Sequence, residues 1–294
     1  MKTPEFEKIS SPEKKDVLLK VLISRHGPKL QAAGEKNVLA SYFKEAVTKG
    51  FNDMGIEKGT GAVHISGSPV ERSKETMAIM SEAAGVERKS GEEKNLATPF
   101  QPAQEAENTE AAEDFEKLVA WQAKLEPLIR ESVFKDLPHA NHIEQEAEIR
   151  NRIDMEVLTA MFNEGDKTAQ ERKFKTTYKD LADRFASRYA GFLSHLGILD
   201  KFRQKGGTQP LQTPYIQIDV SHSFPITAFL KKYLVFADGQ RAETLDAKKI
   251  YKKTGGIIRE SGFLRLEYCK DEPPYVEIEA EFAPGKPFKG CIEF

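Results

Sequence analysis

Val17–Ile23 (VLLKVLI) is an almost unbroken apolar run, the pattern of a strand buried on both faces of a parallel sheet. Leu39, Phe43, Val47, Phe51 and Met54 then recur at three- and four-residue spacing and predict an amphipathic helix. Ala62–Ile65 reads as a second, short strand. Ser68-Pro69 offers an N-cap with proline at the first helical position, and Gly85 a stop, for the helix between them. Strand, helix, strand, helix is the alternation of a doubly wound fold.

A weaker strand falls near Lys94–Ala97, after which the pattern changes. Gln101–Ala112 is rich in Gln, Glu and Ala, and Phe115, Leu118, Val119, Leu125 and Leu128 follow at helical spacing. A second helical stretch carries Ile149, Ile153, Val157, Leu158, Met161 and Phe162 and ends near Gly165. Residues 101–168 thus read as a helical cap inserted into a single catalytic domain whose core is 16–100 and 169–294. Long insertions at such places are commonly lids or specificity elements. The core resumes at Thr177–Leu196, where Thr177 and Asp180 approximate a capping box and Gly197 is a candidate stop. Tyr215–Val220 is a strand, Pro225–Leu234 a helix, and Ile257–Tyr268, Tyr275–Phe282 and Phe288–Phe294 are strands joined through Pro273-Pro274 and Pro284-Gly285. The predicted class is α/β: a three-layer α/β/α sandwich with a mostly parallel central sheet.

Composition narrows the partners more than the fold. Of 294 residues 39% are apolar and 31% charged, which suits a globular chain and excludes wholesale disorder. The formal charge of −2 favours neither nucleic acid nor an anionic membrane, so an anionic substrate must be drawn by a local basic cluster. Cys269 and Cys291 lack metal-ligand spacing and read as reduced, buried residues. Met1–Lys15 is a polar, loosely attached lead without the apolar centre of a signal peptide, and no apolar run approaches a membrane span. A cytoplasmic location is expected.

Three short motifs carry the chemistry, each directly after a strand-like run. They are Arg25-His26-Gly27, then Ser68-Pro69-Val70-Glu71-Arg72 with Thr76 one turn later, then Ser221-His222-Ser223. Ligands of open α/β sheets bind beyond the carboxyl ends of the strands. Two arginines and two histidines delivered to that edge make a pocket for a phosphoryl group. Arginine supplies forked, charge-assisted hydrogen bonds to phosphate oxygens. A histidine serves as nucleophile when one ring nitrogen is unprotonated and the other is held. Singly each motif is ordinary, since Ser-Pro-x-x-Arg begins many helices with a solvated arginine and most strand-end histidines are structural. Their order and common context set them apart.

Together the motifs resemble the histidine phosphatase superfamily, which includes cofactor-dependent phosphoglycerate mutases and many phosphomonoesterases. The resemblance covers about residues 16–100 and 175–270 and implies a phosphoglycerate mutase-like fold. By it, His26 becomes phosphorylated, and Arg25, Arg72 and His222 form the rest of the phosphate pocket, with His222 also catalytic; Ser223, beside His222, is a further candidate for binding phosphate. The chain departs from the pattern in three places. Ala32 stands where many members have Asn, Ser223 follows the second histidine in place of Gly or Asp, and Leu96-Ala97-Thr98-Pro99 lacks the usual carboxylate. Protonating a leaving group calls for an acid at the pocket mouth. Glu105 is the first downstream candidate, ahead of Glu107 and Glu110, although an acidic run at a helix start is commonly a solvated face. Lys29 extends the basic cluster or lies on the surface, and His64, His139, His142 and His195 have no comparable context.

The expected activity is hydrolysis of a phosphomonoester through a phosphohistidine, without metal or organic cofactor. A mutase-like phosphotransferase and a non-catalytic phosphate-binding scaffold remain as alternatives. The partner is a small phosphorylated molecule, with no nucleic acid and no membrane. Neither the substrate nor the oligomeric state is legible.

Overall fold

The computed structural model describes residues 16–27, helical positions within 43–52, residue 56, and 63–69, 71–86, 91–92, 96, 109–162, 175–205, 214–259, 262–270, 276–282 and 285–294. The expected lead at 1–15 and strand near 94–97 lie outside these residues, apart from Leu96, which sits in a helical turn. Eight strands form one sheet: β1 (Val17–Arg25), β2 (Val63–Gly67), β3 (Gly91–Glu92), β4 (Tyr215–Ser221), β5 (Leu234–Phe236), β6 (Phe263–Cys269), β7 (Val276–Glu281) and β8 (Pro287–Ile292). Their order is β3-β2-β4-β1-β6-β7-β8-β5.

The half β3-β2-β4-β1 is parallel, whereas each neighbouring pair from β1 through β6, β7 and β8 to β5 is antiparallel. The sheet is therefore mixed, which corrects the expectation of a mostly parallel one. The physical reason is connection length. A parallel return needs a dozen or more residues, and neither the β6–β7 nor the β7–β8 connection has them.

Helices cover both faces. They are α1 (Glu71–Ala84), α2 (Thr109–Asp136), α3 (His142–Phe162), α4 (Tyr178–Lys205), α5 (Ser223–Tyr233) and α6 (Ala247–Thr254). On one face Leu22, Ile65, Ile218 and Val220 pack against Met77 and Met80 of α1 and the helical residues Phe43, Val47 and Phe51. On the other, Val21 and Ile23 join Phe185 and Tyr189 of α4 and Phe229 of α5. Alternation along β1 between the two clusters is what a strand covered on both sides requires. Complete burial of a ring such as Phe185 or Phe229 contributes ~1.5–3 kcal/mol. Trp121 of α2 and Ile149, Ile153 and Leu158 of α3 belong to this second cluster, so α2 and α3 are packed on the core.

The helix boundaries test the local rules. Thr177 and Asp180 form the capping box: Asp180 N donates to Thr177 Oγ1 at 3.2 Å and Thr177 N to Asp180 Oδ2 at 2.9 Å. Gly85, at φ 66°, stops α1. Gly197 does not stop α4, which continues to Lys205 and is tied down by the Arg203–Asp16 ion pair at 2.6 Å. Ser68-Pro69 does not open α1 directly, because the helix begins at Glu71 and the Ser68 side chain is committed elsewhere. The predicted Ile257–Tyr268 strand begins only at Phe263.

The parallel register positions the site. Arg25 of β1 lies opposite Ser221 of β4, and Gly67 of β2 opposite Val220. The residues that follow, His26, Ser68 and His222, consequently leave the sheet at one edge.

Candidate active site

His26 extends the ladder one step past β1, its N–H donating to Ser221 O at 3.0 Å. Its side chain is buried, with Nδ1 2.9 Å from the carbonyl oxygen of Gly27. A carbonyl only accepts, so Nδ1 carries the proton, and in the neutral ring Nε2 keeps the lone pair. The Gly27 N–H donates in turn to Thr76 Oγ1 at 2.9 Å, so α1 fixes the loop that holds His26. A Cβ on Gly27 would stand 3.2 Å from the Phe43 ring, which leaves little room for any other residue.

His222, the N-cap of α5, has extended backbone (φ −125°, ψ 159°), and its side chain makes no capping bond. It faces His26 with ring centroids 5.1 Å apart and planes at 62°. Its Nε2 lies 2.9 Å from Ser68 Oγ, whose hydroxyl donates to Ser73 Oγ, also at 2.9 Å. With the Ser68 proton so used, Nε2–H of His222 is the donor in that pair. α5 begins directly after His222, and a helix start offers backbone N–H groups to an anion, although Pro225 contributes none.

Arg25 is buried and tied by three hydrogen bonds. Nη1 donates to Asn151 Oδ1 at 3.1 Å and to Ile258 O at 3.2 Å, and Nη2 to Asp154 Oδ2 at 3.1 Å. Ser223 Oγ also donates to Asp154 Oδ2, at 2.8 Å. The Ile258 carbonyl is brought round by Gly255 and Gly256, at φ 81° and 120°, backbone that side chains with a Cβ rarely adopt. The phenol of Tyr251, pushed above its ordinary value by burial, stays neutral and donates to Met155 O at 3.3 Å, pinning α3 to α6.

Of the predicted residues, the structure brings together Arg25, His26, His222 and Ser223. Arg72 is the second residue of α1 by backbone. Glu105, Glu107, Lys29 and Ala32 lie outside the described residues, and Glu110 falls in the first turn of α2. At the segment where a carboxylate was expected, the Leu96 carbonyl accepts from Ser221 Oγ at 2.7 Å. His64 pairs with Gln217 Oε1 at 3.0 Å, His195 with Gly191 O at 2.7 Å, and His139 and His142 are exposed near the α2–α3 turn. Sequence reasoning missed Asn151 and Asp154. Their signal was available: they fall one turn apart, in step with the apolar positions Leu158 and Met161. A polar residue in such a series is a candidate for burial with a partner.

Among the described residues no group of three His, Cys, Asp or Glu is arranged to hold a metal, and no helix is long and apolar enough to cross a membrane. Among the described residues neither Cys269 nor Cys291 is in a disulfide.

No protein-family model matches the chain, and no curated protein does. Solved structures align over most of it. A mycobacterial glucosyl-3-phosphoglycerate phosphatase has 13% identity and a TM-score of 0.44, covering 90% of this chain and 98% of its own. A Hafnia alvei phytase in complex with tartrate has 14% identity and a TM-score of 0.38, covering 96% and 92%. A Plasmodium falciparum phosphoglycerate mutase has 13% identity and a TM-score of 0.30, covering 89% and 98%. At these values the likenesses carry no weight for the reaction.

Proposed function

We propose that this chain is a phosphatase that hydrolyses a phosphomonoester through a phosphohistidine on His26. The observation that carries the reading is the His26 Nδ1–Gly27 O bond, which orients a ring whose Nε2 is the nucleophile when neutral, and which faces His222. Nε2 attacks phosphorus as the bond to the leaving oxygen breaks, and the departing oxygen takes a proton. Water then attacks phosphorus, the N–P bond breaks, and inorganic phosphate leaves with His26 restored. Arg25, Arg72, the Nδ1–H of His222 in its protonated form and the backbone N–H of Ser223 supply donors for the equatorial oxygens, where charge accumulates. Glu105 is the proposed proton source for the leaving group.

The test is His26→Ala, assayed on p-nitrophenyl phosphate with circular dichroism as the folding control. Activity should vanish with the fold intact, and quenching wild type without acid should reveal phosphate on His26 by mass spectrometry. Undiminished turnover in the variant overturns the reading. Release of inorganic phosphate separates a phosphatase from a mutase, which returns the group to its substrate.

A further inference from the structure

We infer that Asp154 and Asn151 of α3 are positioning residues that hold Arg25 with one edge of its guanidinium turned to the phosphate. This deepens the proposed phosphatase reading and rests on it. A guanidinium has five N–H donors. Nη1 directs its two at Asn151 and Ile258 O, and Nη2 directs one at Asp154. Two remain, the N–H on Nε and the second on Nη2. Arg25 Nε is buried with no hydrogen-bond partner among the described residues.

Those two remaining donors lie side by side, and an oxyanion can take both at once. The same molecule shows the pairing in use elsewhere. Arg188 grips Asp219 with Nε at 2.8 Å and Nη2 at 2.9 Å. An unmet buried donor is costly and calls for a ligand or water. Arg25 is followed directly in the chain by His26, the proposed nucleophile. Asp154 and Asn151 occupy the other donors, so the fork is already aimed before substrate arrives, which is the condition for preorganised stabilisation. Asp154 also takes the Ser223 hydroxyl, which links α3 to the start of α5, directly after His222.

The Asp154 charge offsets part of that on Arg25, so the pair contributes orientation more than attraction. Loss of the carboxylate should accordingly appear in kcat and hardly in KM. Asp154→Asn, nearly isosteric, should lower kcat for p-nitrophenyl phosphate by about tenfold to a hundredfold and move KM by less than about threefold. In an Arg25→Lys background, where no fork exists to be aimed, the same change should have almost no further effect. Asn151→Ala should act in the same direction more weakly, and serves if Asp154→Asn misfolds.

A second readout does not depend on turnover. The Nε–H proton of Arg25, followed by nitrogen-15 NMR, should exchange slowly in wild type, shift with inorganic phosphate, and exchange at least about tenfold faster in Asp154→Asn. Unchanged exchange, or a kcat loss that persists in full in Arg25→Lys, overturns the positioning role. A wild-type resonance indifferent to phosphate, with exchange still accelerated in Asp154→Asn, keeps the clamp and overturns the phosphatase reading instead.

Discussion

Ser68 and His222 meet at 2.9 Å although 154 residues separate them, because β2 and β4 are parallel neighbours whose ends lie level. The Ser68 N–H continues that ladder by donating to Val220 O at 3.1 Å, so the serine is held by its backbone while its hydroxyl orients the imidazole. Ser68 thus acts less as a helix cap than as a brace for the second histidine.

Arg72→Lys keeps a positive charge at the start of α1 but loses the planar fork. It should lower kcat/KM for aryl phosphates by about tenfold or more while the melting temperature stays within a few degrees. Wild-type kinetics would mean that Arg72 is a surface residue of α1 and that the pocket is completed by something else.

Thr76→Val preserves shape and removes the acceptor of the Gly27 N–H. A fully buried donor left unpaired costs roughly 1–3 kcal/mol, and the part-buried Gly27 N–H falls at the low end of that range. Urea denaturation should show this loss, together with reduced turnover because the Gly27 carbonyl that holds His26 is no longer anchored. Full activity at lowered stability would uncouple the loop from the nucleophile.

Glu105→Gln addresses the leaving group. Poor leaving groups need a proton and good ones depart as stable anions. The substitution should therefore slow alkyl phosphate hydrolysis far more than p-nitrophenyl phosphate hydrolysis. Equal effects on both substrate types, or none, would remove Glu105 from the mechanism.

A fourth prediction concerns acid stability. The Arg130 guanidinium, hydrogen-bonded to Glu146, holds that carboxyl below its ordinary value, bridging α2 and α3. A folded-state value that is depressed means that the unfolded chain binds the proton more readily. The resulting stabilisation is complete above the ordinary carboxylate range and fades as pH falls through the depressed value. The pair is partly exposed, so its contribution is modest and salt-sensitive. Urea midpoints measured from pH 7 down to 3 should fall less steeply in Arg130→Met than in wild type. Parallel curves would show that the bridge adds nothing.

Much of this molecule is written locally. Buried strands announce themselves as apolar runs, so β1 and β4 were legible, as were the amphipathic α4 and its Thr177–Asp180 box. The motifs that follow β1, β2 and β4 were readable for the same reason: a residue just past a strand is placed by that strand. Gly197 misled because a glycine is compatible with a helix end without requiring one, and here the tie from Arg203 to Asp16 carries the helix onward.

What the tertiary structure alone decided is which distant groups meet. Asn151 and Asp154 stand 126 and 129 residues from Arg25, within a helix that also carries ion pairs such as Arg152–Glu148. The helix period puts these two on the buried side with Leu158 and Met161, but it does not report what that side is buried against. The antiparallel half of the sheet was decided the same way, by β6 pairing with β1. Local sequence determines strands, caps and turns through short-range sterics and hydrogen bonds. Partners far apart along the chain are chosen by packing, which satisfies buried donors such as those of Arg25 only once the whole core has closed.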